Sequence, residues 1–265
     1  MKQFVKDILP PIILKIAKRI DSYKYGWKGN YVTWHEAKSN SIGYNSEEIF
    51  FKVRDSMIKV KNGEATYERD SVIFDKIEYS WPILSGLMLA SAKSGGELRV
   101  LDFGGSLGST YYQNKKFFDE LSNVSWSIVE QKRFVDIGKK EFEDNRLKFY
   151  NNIDECLKNE HPNVLLLSSV LQYIERPYDL LKEMLQYDFE YVLLDRTIFC
   201  SSIKDDRITV QNIRLKNYSS IPCWVFEEMK LKSFFSLKYK LIEDFELLQE
   251  RTSYKYEKGF IWRKK

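Results

Sequence analysis

The chain is poor in the residues that carry redox and metal chemistry: its 265 residues include 3 cysteines and 2 histidines. Cys156, Cys200 and Cys223 are odd in number and widely spaced, and His35 and His161 lie far from them, so neither a disulfide framework nor a zinc site is indicated and no metal is expected. No apolar run reaches the roughly 18 residues that a membrane-spanning helix needs, and no secretory leader is recognised, which sets a cytoplasmic expectation. Blocks of one charge are missing as well. The 42 basic and 38 acidic residues are dispersed, which leaves no stripe for a phosphate backbone, and nucleic acid is not expected as a partner. Internal repeats and low-complexity segments are absent, so the length is read as one core with an N-terminal extension.

What is present is concentrated in LRVLDFGGSLGSTYYQ, residues 98–113. Val100 to Phe103 form an apolar run containing Asp102, and Gly104, Gly105 and Gly108 then permit a tight turn, with free helix N–H groups beyond it. The spacing is neither the dinucleotide fingerprint G-x-G-x-x-G nor a P-loop, since no Gly-Lys-Ser/Thr follows. A strand, an acid and a glycine turn are instead the pattern in which class I methyltransferases hold S-adenosylmethionine. A second anchor, WSIVEQ at 126–131, is another β-branched run ending in an acid, Glu130, 28 residues past Asp102. At the carboxyl end of a neighbouring parallel strand such an acid accepts both ribose hydroxyls.

Taken in order, residues 4–20 form a basic amphipathic stretch interrupted by Pro10-Pro11, too short and charged to span a bilayer; its apolar face is read as packing on the protein, in preference to a membrane surface. Residues 21–45 are dense in aromatics, including Tyr23, Tyr25, Trp27, Tyr31, Trp34 and Tyr44, and cover the core or wall a cleft. A helix is expected over 46–62, a further helical stretch from YERDSV at 67–72, and a buried helix over 81–93. Strands near 98–103, 125–130, 147–150, 163–168 and 191–197 alternate with helices near 109–121, 132–143, 153–158 and 177–187, the signature of a doubly wound sheet. Residues 198–221 are read as a mobile lid, followed by a helix near 223–237. KLIEDFELL and KGFIWRKK follow, and their short link makes them antiparallel. The expected fold is α/β, a class I methyltransferase (Rossmann-like) doubly wound sheet, mostly parallel with a C-terminal antiparallel hairpin and an N-terminal helical extension. Its expected parts are a cleft-covering extension, 1–80, and a cofactor-binding core, 81–265.

W-x-G-x-Y at 27–31, YERDSV at 67–72, VLDFGGSLGSTYYQ at 100–113, SSVLQYIERP at 168–177, LLDRT at 193–197, TVQ at 209–211 and PCWVF at 222–226 carry a resemblance over nearly the whole chain. The chain is similar to class I S-adenosylmethionine-dependent methyltransferases associated with bacterial surface-polysaccharide genes. The resemblance implies cofactor contacts from Asp102, Gly104, Gly105 and Gly108, the ribose on Glu130 with its neighbour Gln131, and cleft residues Ser168, Gln172 and Tyr173. It implies S-adenosyl-L-methionine as cofactor, S-adenosyl-L-homocysteine as product, and a small-molecule or glycan-precursor acceptor; the adenine contact stays unassigned.

Methyl transfer needs an in-line nucleophile and, for an alcohol, a base. Asp195 at the end of the fifth strand is the first candidate base and Asp70 the second, while Arg196, Arg69 and Gln211 are candidates to orient an anionic or sugar-like acceptor. An ion pair tying Asp195 to Arg196 is the structural alternative. A phosphate or phosphoramidate oxygen, already ionised, needs no base. A catalytically silent methyltransferase-like binding subunit is the rival from another class.

Overall fold

The computed structural model describes residues 26–42, 46–69, 72–213, 219–246 and 255–265; the stretch 4–20, Tyr23, Tyr25, Tyr44 and Asp70 lie outside the described residues. Strand β1 (Gly26–Tyr31) is followed by helix α1 (Trp34–Ser39), where the Thr33 side chain accepts from the Glu36 amide and caps the first turn. Helix α2 (Ser46–Lys61) ends just before Gly63, and then β2 (Tyr67–Arg69) pairs antiparallel with β3 (Val72–Phe74). The helix expected from YERDSV is therefore a hairpin. Aromatic and β-branched residues on its two arms, Tyr67, Val72, Ile73 and Phe74, favour the pleated surface over the helix that the polar centre suggested.

From Trp81 the alternation runs as expected: α3 (Trp81–Lys93), β4 (Glu97–Phe103), α4 (Ser109–Phe118), β5 (Asn123–Val129), α5 (Lys132–Glu141), β6 (Leu147–Tyr150), α6 (Ile153–Asn159), β7 (Val164–Ser168), a 3₁₀ turn (Leu171–Tyr173), α7 (Pro177–Met184) and β8 (Tyr191–Cys200). Then come β9 (Arg207–Ile213), β10 (Ser219–Val225), α8 (Glu228–Ser236), β11 (Tyr239–Glu246) and β12 (Lys255–Lys264).

The central sheet has seven strands in the order β11-β12-β8-β7-β4-β5-β6. Pairs among β4 to β8 are parallel, and β12 joins β8 and β11 antiparallel. Period-two alternation sends Val100, Ile128, Leu166 and Leu193 to the face covered by α2, α3, α4 and α5, and Leu101, Leu165, Leu167 and Leu194 to the face covered by α6, α7 and α8. Each such side chain, wholly withdrawn from water, contributes about 1.5–3 kcal/mol, so the two apolar layers fix the register of every parallel strand. This is a doubly wound, mostly parallel α/β sheet with a closing antiparallel hairpin.

The lid reading of 198–221 is corrected. β8 runs on through Cys200, and β9 and β10 form a second, three-stranded antiparallel sheet with β1, in the order β1-β9-β10. Pro222 sits in β10 at the edge of that sheet, a place where a strand proline is tolerated. The helix expected near 223–237 correspondingly starts later: Val225 closes β10, and Glu227 caps α8 by accepting from the amides of Met229 and Lys230.

Candidate active site

Strand β4 lies between β5, reached by a crossover to one side, and β7, reached by a crossover to the other. Such a switch point opens a crevice outside the carboxyl ends of the strands, and it falls at Asp102 and Gly104. The turn is built from what only glycine tolerates. Gly104 has φ 74°, and a Cβ there would stand 2.6 Å from Val170 Cγ2; a Cβ on Gly105 would stand 2.5 Å from the Asp102 carboxylate. The backbone thus closes directly over Asp102, which is 1% exposed. Burial pushes its carboxyl up to about 7, opposed by the Trp126 indole N–H that donates to Oδ2 at 3.1 Å; the Glu130 charge adds to the rise and the Arg196 charge works against it.

Glu130, just past the end of β5, turns its carboxylate toward the same turn. It accepts from its neighbour's amide, Gln131 N, at 2.6 Å and from the backbone N–H of Ser106, while burial raises its pKa against those two donors.

Across the crevice, Ser168 Oγ at the end of β7 donates to Asp195 Oδ2 at 2.9 Å and accepts from Arg196 Nη2 at 3.0 Å. Arg196 Nε lies 3.4 Å from the same Asp195 oxygen. The buried Gln172 amide donates to the Arg196 carbonyl at 3.0 Å, so it supports the arginine from behind. Arg196 sits inside β8 with φ 50°, opposite a register shift in β12 between Lys258 and Phe260. An irregularity of this kind re-aims a side chain, here the guanidinium toward the crevice. Ser106, Ser169 and Arg196 are the non-glycine residues with positive φ among the described residues, and all line one cleft. Left-handed backbone costs of order 1–3 kcal/mol per residue and persists where a functional site holds it.

That cleft measures about 750 Å³, within the range of small-molecule sites. Its inner wall is Asp102, the glycine turn, Ser109 and Thr110; an apolar sector comes from Ile49, Val53 and Phe134. The outer wall comes from the second sheet and α1: Trp34 and Lys38, four apart on one helix face, with Gln211, Ile221 and Pro222. Tyr173 joins the walls, its hydroxyl donating to Gln211 Oε1 at 2.8 Å. The β2 hairpin contributes Tyr67, Glu68 and Arg69, whose guanidinium lies 3.5 Å from Glu78 and over the Phe74 ring.

Of the residues named from sequence, Arg69, Asp102, Gly104, Gly105, Ser168, Tyr173, Arg196 and Gln211 meet on this cleft. Gly108, Glu130, Gln131, Gln172 and Asp195 are not among its lining residues, and Asp70 lies outside the described residues. Sequence reasoning missed Lys38, Ser106 and Phe134. Glu68 was legible only as one acid in a polar string, and its burial at 1% exposure comes from the hairpin's docking on α4. Among the described residues no cluster of His, Cys, Asp or Glu is arranged to hold a metal ion.

Neither protein-family models nor curated proteins match the chain. Among solved structures it is similar to the N-terminal domain of EvdMO1 in the presence of SAH and D-fucose, at 13% identity over 84% of this chain and 98% of that one, with a TM-score of 0.48. It is also similar to the Burkholderia thailandensis 1,6-didemethyltoxoflavin-N1-methyltransferase with bound 1,6-didemethyltoxoflavin and S-adenosylhomocysteine, at 12% identity over 90% and 93% of the two chains, TM-score 0.42. A SAM-dependent methyltransferase of Methanosarcina mazei aligns at 9% identity over 71% and 99%, TM-score 0.48.

Proposed function

We propose that the protein is an S-adenosylmethionine-dependent methyltransferase. The observation that carries this reading is the glycine turn closed over a buried strand-end acid at the switch point of the sheet, where Gly104 and Gly105 line the cleft and lie too close to Val170 and the Asp102 carboxylate for any side chain. Asp102, Gly104 and Gly105 are assigned to the methionine part of the cofactor and Glu130 to its ribose. When bound, the cofactor supplies an electrophilic methyl group on a sulfonium. The chain's own task is to bind, orient and exclude water.

The acceptor is proposed to be a hydroxyl or an anionic oxygen of a surface-glycan building block. Its support is the outer wall, where Arg196, Arg69, Lys38 and Gln211 offer charge-assisted donors and Trp34 offers a flat face, together with the family resemblance of the sequence. For an alcohol, the geometry supports a relay: Ser168 Oγ takes the acceptor proton as it passes its own to Asp195 Oδ2, along a hydrogen bond already made at 2.9 Å. Arg196 then orients the acceptor, its guanidinium held by Ser168 Oγ and Asp195. An acceptor that is already an oxyanion bypasses the relay.

Titration calorimetry with S-adenosylmethionine, S-adenosylhomocysteine and NAD tests the cofactor. Binding of the first two and not the third is expected; binding of NAD alone overturns the reading. Transfer of radiolabelled methyl is then followed in parallel against nucleotide-activated sugars, capsule precursors and total RNA. Label in RNA or protein only would refute the glycan assignment. Asp195→Asn is expected to slow transfer to an alcohol by 10²–10⁴-fold, the usual worth of a general base, and to spare an ionised acceptor.

A further inference from the structure

The outer wall holds an aromatic run that the cofactor assignment leaves unused. Phe226, wholly buried, stacks on Trp224 at 6.3 Å between ring centroids and 17° between planes, and Trp224 stacks on Trp34 at 6.2 Å and 20°. The Trp224 indole N–H donates to the Ile174 carbonyl at 3.0 Å, which pins the middle ring. The run therefore begins in the core and ends on half-buried Trp34, which lines the cleft. Among the described residues Trp224 is the one ring stacked against Trp34. A face at the end of a near-parallel run accepts a further flat ring in the same orientation.

Lys38 stands one turn of α1 further on, about 6 Å along the axis and on the same side as Trp34. Ala37, wholly buried against Ile208 and Val210, fixes the roll of this helix, and both side chains reach the cleft. Lys38 enters no ion pair among the described residues, and an ammonium on a flexible stem suits a phosphate as a point charge. Beside them the Tyr173 hydroxyl donates to Gln211 Oε1 at 2.8 Å, so the atom that Gln211 offers a ligand is its Nε2, a donor. A neutral sugar stacks on a tryptophan but gives a cation nothing to hold, and a free phosphate leaves the ring unused. A flat ring and an anion joined in one molecule describe a nucleotide.

The cofactor's assigned contacts run the other way, from β4 toward Glu130 at the end of β5, whereas the second sheet is tied to Tyr173 and Ile174 beyond β7. We propose that Trp34 and Lys38 form a nucleotide subsite, with a base on Trp34 and a phosphate at Lys38, so that the acceptor enters as a nucleoside-diphosphate conjugate of a sugar. The assignment rests on the glycan-acceptor reading and narrows it: the nucleotide is what the outer wall holds, and the sugar beyond its phosphates is what meets Ser168. Stacking tolerates any base, so this subsite selects the carrier and leaves the choice of sugar to the inner part of the cleft.

The full-length protein is titrated by calorimetry, first with S-adenosylhomocysteine and then, saturated with it, with UDP, CDP and GDP, their three nucleosides and inorganic pyrophosphate. At least one diphosphate is expected to bind tenfold or more tightly than both its nucleoside and pyrophosphate. Trp34→Leu, which stays apolar but has no flat ring, is expected to weaken that diphosphate at least tenfold. Lys38→Gln is expected to weaken it about tenfold and to leave the nucleoside within twofold. S-adenosylhomocysteine affinity stays within twofold in both variants, and a thermal midpoint checks that each is folded. Pyrophosphate binding as tightly as every diphosphate overturns the assignment, as does a diphosphate affinity unaltered by Trp34→Leu. Weakening of S-adenosylhomocysteine itself in Trp34→Leu gives the ring to the cofactor's adenine and overturns it too. If S-adenosylhomocysteine binds and no diphosphate does, the subsite falls and the cofactor reading stands. If neither S-adenosylhomocysteine nor S-adenosylmethionine binds, the methyltransferase reading falls and takes the acceptor role of this subsite with it.

Discussion

Asp102 shows at the residue scale how burial alters an acid that was legible from its place at the end of an apolar run. The folded chain keeps a proton on it up to about pH 7, whereas an unfolded aspartate loses its proton near 4. Between those values the folded state binds the extra proton, so this residue's contribution to stability is fully present below about pH 4 and is lost as pH rises toward 7. At about 1.4 kcal/mol per pKa unit the loss amounts to a few kcal/mol at most. Asp102→Asn stays neutral and can still accept from the Trp126 indole, so the fall in urea midpoint between pH 4 and 7 is expected to flatten in the variant; an unchanged slope would remove the buried-proton account. Glu130 was legible by the same logic, an acid closing the next β-branched run. Its replacement by Ala is expected to weaken S-adenosylhomocysteine by about 1–3 kcal/mol, the cost of hydrogen bonds left unmade in a buried place, and unchanged calorimetric affinity would rule out the ribose role. Glu68 escaped because nothing local distinguishes it within YERDSV. What makes it special is the contact with Ser109, 41 residues away in sequence, and single-sequence patterns carry no information on such pairings.

At the scale of elements, the parallel strands were legible because they are buried on both faces and read as mostly apolar runs, LRVLDF and NVLLLS among them. The second sheet was not, for three separate reasons. β1, GWKGNY, carries Gly26 and Gly29 at positive φ, which weaken a strand signal. β10 holds Pro222, and β9, the one strand-like run, has partners that are distant in sequence. The consequence is measurable. β9 is the middle strand, with ladders on both sides, so its amides around Thr209–Asn212 are expected to exchange with solvent as slowly as those of β4, ligand or no ligand. Fast exchange there that slows on adding ligand would restore the lid. The glycine turn makes the opposite kind of element, one defined by what it excludes. Gly105→Ala drives a Cβ to 2.5 Å from the Asp102 carboxylate, and overpacking of this sort costs about 1–3 kcal/mol. Loss of stability together with loss of S-adenosylhomocysteine binding is the expected outcome.

The molecule as a whole divides its cleft between two builders. The inner wall is the carboxyl edge of the seven-stranded sheet, held by two apolar layers that leave Asp102 and the turn little freedom. The outer wall is a smaller body, the β1-β9-β10 sheet with α1, packed through Ala37, Ile208 and Val210 and the stacked Trp34 and Trp224 rings, 6.2 Å apart. It is tied to the core at the Tyr173 to Gln211 hydrogen bond and where Trp224 Nε1 donates to the Ile174 carbonyl at 3.0 Å. Residues more than about 7–10 Å apart without shared partners act additively, so the two walls are expected to answer separately to substitution. Gln211→Ala and Lys38→Ala, on the outer wall, should leave S-adenosylhomocysteine affinity within twofold of wild type while lowering methyl transfer to any acceptor that the radiolabel assay finds. Gly104→Ala, on the inner wall, should abolish cofactor binding outright, since Val170 Cγ2 stands 2.6 Å from the added carbon and the backbone is left-handed. An outer-wall variant that loses the cofactor as completely as Gly104→Ala would show that both ligands share one wall, and the division into a cofactor side and an acceptor side would have to be given up.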